Sequence, residues 1–544
     1  MTKKPYYITT PLYYPSANLH LGHTYTTIIA DTLKRYKTIQ GYDVYLVTGT
    51  DEHGQKIQEA SAKKGQKPLE FTDEIVESIK ELWKTLEIDY DYFIRTTDKD
   101  HEKNIQDIFQ KLYDKGDIYK GHYKGYYCTP CESFWTESQL EEGMCPDCGR
   151  EVHYQEEETY FFRLSNYTDK LIQYYEDHPE FISPERSKKE MINNFLKEGL
   201  DDLSVTRTSF DWGAKVPFDE KHVIYVWIDA LSGYLTAAGL GSDEDKFNRY
   251  WPASMQLVGK EIVRFHTIIW PALLMALDLP LPERVFAHGW ILFGDDKMSK
   301  SKGNIVYPEP IIDLYGIDAL KYFVLREFTF GSDGQFTNEK FLQRLNSDLA
   351  NDLGNLVSRT TSMVEKYNGG ILENTGVEEE VDKDLKAVAT GAINQVEKYM
   401  DQLNFSYALE EIWKVVRRTN KYIDETMPWA LAKENMERLN TVLYNLVESI
   451  RIIAQLIEPF LPHTSVKIGE QIGQANLGWD SAREFGLMAN GSKVEKKENL
   501  FQRLDIKKEL VNLAAANKAL FEKRVGKIEE DKKEMAEEDY ISID

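Results

Sequence analysis

Two short motifs, far apart in the first three hundred residues, carry side chains suited to polyphosphate chemistry. His20-Leu21-Gly22-His23 follows the first strand-like run, and Lys297-Met298-Ser299-Lys300-Ser301 lies between Gly294 and Gly303. At a helix amino terminus, unpaired backbone N–H groups and the helix dipole favour an anion. Two imidazoles placed there can donate hydrogen bonds to phosphate oxygens as charge develops on them. Gly22 has no Cβ and lets a planar base approach the backbone. Lys297 and Lys300, flanked by Asp295, Asp296 and two glycines, suit a mobile loop that closes over a triphosphate. Together the motifs describe a site where a nucleoside triphosphate is attacked at its α-phosphate. Singly, each has a plainer reading: capping histidines, and a solvated basic loop.

A second constellation uses every cysteine in the chain. Cys128-Thr129-Pro130-Cys131 and Cys145-Pro146-Asp147-Cys148 are two C-x-x-C pairs. Their spacing allows four thiolates to close a tetrahedron around one Zn²⁺. Four protein ligands leave no open position, so such an ion is structural. Disulfide pairing is the alternative. No cysteine remains for bridges elsewhere, which fits a reducing compartment.

These groups need a scaffold. Tyr6-Tyr7-Ile8-Thr9-Thr10 is rich in strand formers and is broken by Pro11, Pro15 and Asn18. Ile28, Ile29, Leu33 and Tyr36 predict a helix from about Gly22. Asp43 to Gly49 reads as a buried strand ending in the polar loop Thr50-Asp51-Glu52-His53-Gly54. Helices are expected around 71–87 and 101–115. This alternation predicts a parallel sheet, which binds ligands at the carboxyl ends of its strands. Residues 116–222 break the pattern and read as an insertion. The sheet is expected to resume at 223–227, 255–260 and 285–289. Beyond about 345, Leu345, Leu349, Leu353, Leu356 and Val357, then Leu409, Ile412, Trp413 and Val416, keep helical spacing. The expected fold is therefore α/β: a Rossmann-like parallel sheet with a zinc-knuckle insertion, followed by an all-α helical bundle.

A chain of 544 residues exceeds one hydrophobic core and implies several domains. The net charge of −24 argues against a protein coated with basic surface, though a local basic groove is compatible with it. Arg417, Arg418 and Lys421 are candidates for such a patch. The opening residues contain no signal-length apolar run and no segment reaches membrane-spanning length, so the expected location is cytoplasmic.

With these residues in view, the chain resembles the class I aminoacyl-tRNA synthetases, whose two hallmark motifs have the form HIGH and KMSKS. Leu21 stands in place of the isoleucine, and the second motif is unaltered. More narrowly, it is similar to the methionyl-tRNA synthetase family over nearly its whole length. The matching stretches are Thr10-Pro11-Leu12-Tyr13-Tyr14, Gly49-Thr50-Asp51-Glu52-His53-Gly54, Tyr225-Val226-Trp227-Ile228-Asp229-Ala230, Gly259 to His266, and Met427-Pro428-Trp429.

The resemblance implies a ligase that activates methionine with ATP to methionyl-adenylate and pyrophosphate, then transfers methionine to the 3′ end of tRNA(Met), the initiator included. It implies catalytic roles for His20, His23, Lys297 and Lys300. ATP contacts would add Gly22, Gly259, Glu261, His288, Ser299 and Ser301. The methionine pocket would comprise Leu12, Tyr14, Asp51, Trp227, Ala230, Tyr234, Ile262 and His266, with Asp51 on the ammonium. Arg207 would pair with Asp51 or place substrate. Asn355, Arg359 and Trp429 would read the anticodon. Implied cofactors are one structural Zn²⁺ on Cys128, Cys131, Cys145 and Cys148, and Mg²⁺ with ATP. Plain alternatives stand beside these: core packing for Trp227, Tyr234 and Trp429, and a surface salt bridge for Arg207.

The implied domains are a catalytic half at 1–115, a connective insertion at 116–222 with its knuckle at about 125–150, and a second catalytic half at 223–305. A stem-contact region at 306–345, an anticodon-binding bundle at 346–500 and a helix at 501–535 follow. Residues 536–544 read as the first strand of an OB-fold tRNA-binding domain, which dimerises in the family; a chain without it is expected to be monomeric. A synthetase for leucine, isoleucine or valine would need a large editing domain, for which the insertion is short. A nucleotidylyltransferase would lack the bundle, and a non-catalytic zinc scaffold would have no use for the lysine loop.

Overall fold

A computed structural model of the chain describes residues 3–16, 18–129, 133–135, 137–146, 149–294, 296–297, 305–474 and 477–541; for Ser133, Phe134, Ser138, Asp296, Lys297 and 525–541 it describes the backbone alone. A six-stranded, wholly parallel sheet organises the first half. Its spatial order is Tyr92–Arg95, Asp43–Thr50, Pro5–Tyr13, Met255–Gly259, Val285–His288 and Ile182–Ser183. The chain order reverses between Pro5–Tyr13 and Met255–Gly259. Ligands of such sheets sit in the crevice outside the strand ends at that switch point.

Strand Pro5–Tyr13 runs past the proline that was expected to end it. Its pairing with Asp43–Thr50 shifts register between Thr9 and Leu12, so Pro11 occupies an irregularity where a missing N–H costs no ladder bond. Such a bulge re-aims side chains. Tyr7 and Ile8 lie on opposite faces of the sheet, each fully buried in a different core. The core around Ile8 continues through helix Leu21–Ile39 into the carboxyl-terminal helices. The core around Tyr7 is completed by helices Val226–Ala238 and Trp270–Ala276.

Residues 223–227 depart from expectation. Asp219–Ile224 pairs antiparallel with Thr206–Arg207 and Lys215–Val216 in a separate small sheet, and helix Val226–Ala238 starts at Val226. That helix is buried almost all round, and a helix without a polar face has no periodicity to distinguish it from a buried strand. The sixth strand of the main sheet is instead Ile182–Ser183, from within the expected insertion. The insertion's own sheet is antiparallel, ordered Ser133–Trp135, Ile118–Cys128, His153–Phe162 and Leu203–Ser204. From Asn338 onward the chain is chiefly helical, and every apolar residue singled out for helical spacing there is buried. Residues 538–541, read as a first strand, continue the helix Ile506–Ile541. Among the described residues no helix is long and apolar enough to cross a membrane.

One buried ion pair fastens the sheet's first helix to the helical half. Asp31 on Leu21–Ile39 meets Lys321 on Ile317–Glu327 at 3.2 Å, with both side chains at most 2 % exposed. Asp31 also receives Arg35 Nε at 2.9 Å and the Asp89 N–H at 3.0 Å. Burial alone would raise the Asp31 pKa, but the two cations outweigh it and hold the carboxyl below its usual value. Removing one partner of a buried pair strands the other's charge. Asp31→Asn should therefore lower stability by roughly 3–5 kcal/mol, read as a fall in the urea midpoint; an unmoved midpoint would contradict the account.

Candidate active site

The first helix begins with a capping box made of two histidines. His20 is the N-cap, in extended conformation, and its Nδ1 accepts the Gly22 N–H at 3.1 Å. His23, three residues on, returns the arrangement: its Nδ1 accepts the His20 N–H at 3.2 Å. The rings lie 4.1 Å apart. A neutral imidazole has one acceptor and one donor nitrogen. With each Nδ1 accepting from the backbone, each ring carries its proton on Nε2. The motif thus presents two N–H donors at a helix amino terminus, where anions are favoured. Gly22 serves this geometry directly, because a Cβ there would come within 3.0 Å of the His20 ring.

His23 opens onto a cavity of about 650 Å³ at the sheet's switch point. Gly22, Gly259, Glu261 and His288 line it, as do Leu12, Tyr14, Asp51, Trp227, Ala230, Tyr234, Ile262 and His266. Residues from six separate stretches of the sequence therefore meet on one surface. The strand bulge explains how Pro11, Leu12, Tyr13 and Tyr14 can all reach it, which a regular strand forbids.

The apolar end of the cavity is held neutral by burial. His266 sits on a wide helical turn, Phe265–Ile269, and its Nδ1 lies 3.0 Å from the Ile262 carbonyl, to which it must donate. Its Nε2 then accepts from the Tyr234 hydroxyl at 3.0 Å. Burial pushes His266 down to about 4, and only the Ile262 carbonyl opposes this. Trp227 stacks on Phe265 with ring centres 3.7 Å apart and planes at 10°. A flat aromatic wall beside neutral polar edges suits a soft, polarizable thioether.

The opposite end is polar. His288 Nδ1 donates to the Gly289 carbonyl at 2.8 Å, and its Nε2 meets the Thr26 hydroxyl at 2.6 Å. Glu261 Oε2 accepts the Trp290 indole N–H at 2.7 Å, and Lys260 Nζ lies 3.9 Å over the Trp290 ring. The lysine motif approaches here. Asp296–Lys297 pairs with Ile291–Phe293, and past the motif the Val306 carbonyl accepts the Leu21 N–H at 2.9 Å. The chain that follows the motif is thus tied to the histidine motif, and the chain that enters it is held in a strand pair. Val306 follows Lys300 by six residues, a span of at most ~20 Å. The Lys297 side chain and Ser299, Lys300 and Ser301 lie outside the described residues.

Arg207 is buried, which removes the surface salt-bridge reading. It donates to Ser204 Oγ at 3.0 Å and to the Thr206 carbonyl at 2.7 Å, and its guanidinium lies 4.5 Å from the Tyr225 ring centre, next to the start of the helix bearing Trp227. In the insertion, Cys128 and Cys145 are buried together with Trp135. The Gly149 N–H closes a tight turn on the Cys145 carbonyl at 2.8 Å, with Gly149 at φ 66°. Two buried thiols, one at the end of strand Ile118–Cys128 and one on that turn, fit one half of a tetrahedral zinc site; Cys131 and Cys148 lie outside the described residues. Elsewhere Glu158, Asp219 and His222 also bring ligand atoms together, but Lys120 already bridges both carboxylates at 2.8 and 2.9 Å.

In the bundle, Trp429 is 47 % exposed on the short helix Pro428–Glu434 and is not core packing. Asn355 is exposed at the start of helix Asn355–Asn368, and Arg359 on the same helix reaches Asp424 at 3.4 Å. The expected basic patch is corrected: Arg417 pairs with Glu410, Arg418 with Asp384 and Glu425, and Lys421 with Glu425. Glu410 and Glu425 on the same helix and Asp384 on the neighbouring helix Glu380–Asp401 neutralise it, as the overall acidity of the chain allows.

Several cavity residues escaped the sequence reading. Phe265 lies within the matching stretch Gly259 to His266 and Trp290 just past the expected strand 285–289, so both could have been found there. Lys56, whose ammonium lies 4.7 Å over the Tyr14 ring, carried no signal, nor did Pro146, Glu190, Met191 and Phe195 from the insertion.

Comparison with known proteins gives a consistent picture. Residues 6–157 and 148–361 match the family described as tRNA synthetases class I (M), and residues 372–513 match the anticodon binding domain of methionyl tRNA ligase. The chain is 60 % identical to a methionine–tRNA ligase of Caldanaerobacter subterraneus subsp. tengcongensis, covering 100 % of this chain and 84 % of the relative. It is 54 % identical to that of Clostridium perfringens, with 100 % and 85 % covered. A solved structure of Mycobacterium tuberculosis methionyl-tRNA synthetase in complex with methionyl-adenylate superposes with a TM-score of 0.88 at 42 % identity, over 92 % of this chain and 100 % of that one.

The depressed His266 value has a consequence for acid stability. The unfolded ring takes a proton near its ordinary value of about 6.5, the folded ring only near 4. Between these values the unfolded state binds more protons, so stability is full above pH 6.5 and falls as the pH drops toward 4. The loss should approach roughly 3 kcal/mol. His266→Gln should flatten the decline in melting temperature across that window; an identical slope in both proteins would contradict the burial argument.

Proposed function

The chain belongs to the class I tRNA synthetases for methionine, and on that premise we propose how its cavity divides the work of joining methionine to tRNA. The reaction has two steps. The methionine carboxylate, ionised near neutral pH, attacks the α-phosphorus of ATP in line. The bond to the bridging oxygen breaks, pyrophosphate leaves and methionyl-adenylate remains. A hydroxyl of the 3′-terminal adenosine of tRNA then attacks the adenylate carbonyl, and AMP leaves.

No covalent enzyme intermediate is needed, so catalysis is positioning and charge stabilisation. Asp51 takes the substrate ammonium at the carboxyl end of its strand. Leu12, Trp227, Ala230, Tyr234 and Ile262 surround the thioether, and the neutral Tyr234–His266 pair offers it polar edges without a charge. The Nε2–H groups of His20 and His23 donate to phosphate oxygens. Gly22, Gly259, Glu261 and His288 bound the nucleotide end. Lys297 and Lys300, with Ser299 and Ser301, close over the leaving pyrophosphate, which carries Mg²⁺ as bound with ATP. Arg207 supports the Tyr225–Trp227 turn from beneath. Cys128, Cys131, Cys145 and Cys148 would hold a structural Zn²⁺ that keeps the insertion folded. The substrates are tRNA(Met) in elongator and initiator forms, and the setting is the cytoplasm. The observation that carries this reading is the histidine capping box, which fixes two N–H donors at a helix amino terminus, with His23 opening onto a cavity that also contains Asp51.

Anticodon reading falls to the bundle. An exposed indole can stack an unpaired base, while Asn355 and Arg359 offer hydrogen bonds to base edges.

Three outcomes test the assignment. Methionine, and neither leucine nor valine, should drive ATP–pyrophosphate exchange. His23→Asn, which keeps an acceptor for the His20 N–H but loses the Nε2 donor, should slow that exchange about 10²–10³-fold without lowering the melting temperature; a folded variant with undiminished exchange would contradict the role. Trp429→Ala should weaken aminoacylation roughly tenfold or more while leaving exchange unchanged, whereas equal loss in both assays would mark Trp429 as structural.

A further inference from the structure

Behind the cavity wall, three buried side chains form a cluster that the two-step reaction does not use. Asp229, in the first turn of helix Val226–Ala238, divides its carboxylate between two imidazoles. Oδ2 lies 2.6 Å from His53 Nδ1, and Oδ1 lies 2.8 Å from His101 Nε2. Asp229 and His101 are 0 % exposed and His53 is 2 % exposed. The Thr236 hydroxyl lies 3.0 Å from His101 Nδ1 and 3.5 Å from the Ser232 carbonyl, and it accepts from the Asn104 amide at 3.3 Å. His53 faces Asp229 from helix Val226–Ala238, Glu102 from helix Lys99–Asp114 at 3.8 Å, and the edge of Trp212. The neighbouring Glu52 carboxylate is occupied by Arg95 at 2.7 and 2.8 Å.

The position of this cluster gives it meaning. His53 follows Asp51 by two residues, and Asp229 lies between Trp227 and Ala230. The Tyr14 hydroxyl donates to the His53 carbonyl at 2.9 Å. Thus the loop that carries the ammonium anchor is tied, through one carboxylate, to the helix that carries the side-chain wall. Glu52 holds the same loop from the other flank, so Asp51 sits between two buried ionic anchors. We propose that the His53–Asp229–His101 cluster is a positioning device that fixes the distance between the ammonium end and the thioether end of the pocket, and so sets the side-chain length that is accepted.

The physical reason is the weakness of apolar discrimination. One methylene more or less in an apolar pocket changes selectivity only about 10–200-fold, and only if the walls cannot drift to accommodate it. A carboxylate shared by two buried imidazoles resists drift, because pulling either ring away leaves a buried charge poorly compensated. Burial opposes charge on both partners, yet the imidazoles hold Asp229 down to about 2, and Asp229, with Glu102 and Glu52, holds His53 above its ordinary value. The tie is therefore strongest while His53 is protonated. It weakens as the pH rises through the folded His53 value.

The inference rests on the pocket assignment above, and wild-type exchange driven by methionine checks that assignment separately. The test is steady-state exchange with methionine and with ethionine, one methylene longer. Asp229→Asn can accept from only one imidazole. It should raise the KM for methionine about tenfold while kcat and the KM for ATP change less than about threefold, and it should lower the methionine-to-ethionine preference several-fold. His53→Gln should do the same, and the double variant should be no worse than Asp229→Asn alone, since both act through one tie. In the wild-type protein the preference ratio should fall as the pH rises through the His53 value; the titration of the amino acids' own ammonium groups cancels in that ratio. Unchanged ratios in both folded variants, or a wild-type ratio independent of pH from 6 to 10, would overturn the proposal. So would parallel losses in kcat and in both KM values. The wild-type pH series decides the matter even if a variant fails to fold.

Discussion

Where the helix Leu21–Ile39 begins, two imidazoles take the place of the serine or aspartate that commonly caps a helix. Each ring accepts a backbone N–H through Nδ1, so local helix geometry dictates the tautomer. The arrangement makes structure and chemistry one constraint. The hydrogen bonds that start the helix are those that turn two N–H donors outward, at the point where the dipole favours an anion. The switch in strand order places this terminus over the crevice, and the Val306 carbonyl, accepting the Leu21 N–H, brings the returning lysine segment to the same spot.

The cavity is assembled from layers that could move relative to one another, and buried polar ties hold them. Asp31 and Lys321 join the sheet half to the helical half, and Asp229 joins the Asp51 loop to the wall helix. The insertion enters the site as well. The Arg264 guanidinium lies 4.8 Å from the Trp135 ring centre, 5.4 Å from Phe195 and 5.1 Å from Phe265, whose ring in turn stacks on Trp227. A cation among three rings gains from each face. The insertion therefore buttresses the Trp227 wall of the cavity through aromatic contact, and Pro146, beside Cys145, lines the cavity itself.

Much of this was readable in advance, for identifiable reasons. Strands such as Asp43–Thr50 and Val285–His288 announce themselves as short apolar runs ending in polar loops, and the parallel-sheet rule then places Asp51 and His288 at one edge. Helix Val226–Ala238 misled because it has no polar face. Pro11 misled because a bulge tolerates it. The terminal residues misled because strand propensity is a weak local signal. Most candidate pocket residues came from family motifs rather than spacing, and the structure brings Leu12, Asp51, Trp227 and His266 together from four distant segments. What no local signal could supply was the coupling: Asp229 reads as one acidic residue in an apolar run, and only the fold shows two histidines, from residues 53 and 101, converging on it.

The central claim is that the two histidines meet the phosphates of ATP through Nε2 while Asp51 holds methionine at the other end of the same crevice. A crystal structure of this chain with methionine and a non-hydrolysable ATP analogue tests it most directly. The account predicts His20 and His23 Nε2 within about 3.2 Å of phosphate oxygens, with their Nδ1 atoms still on the backbone and the methionine ammonium on Asp51. Phosphates bound away from the helix terminus, or rings turned so that Nδ1 faces the nucleotide, would contradict it.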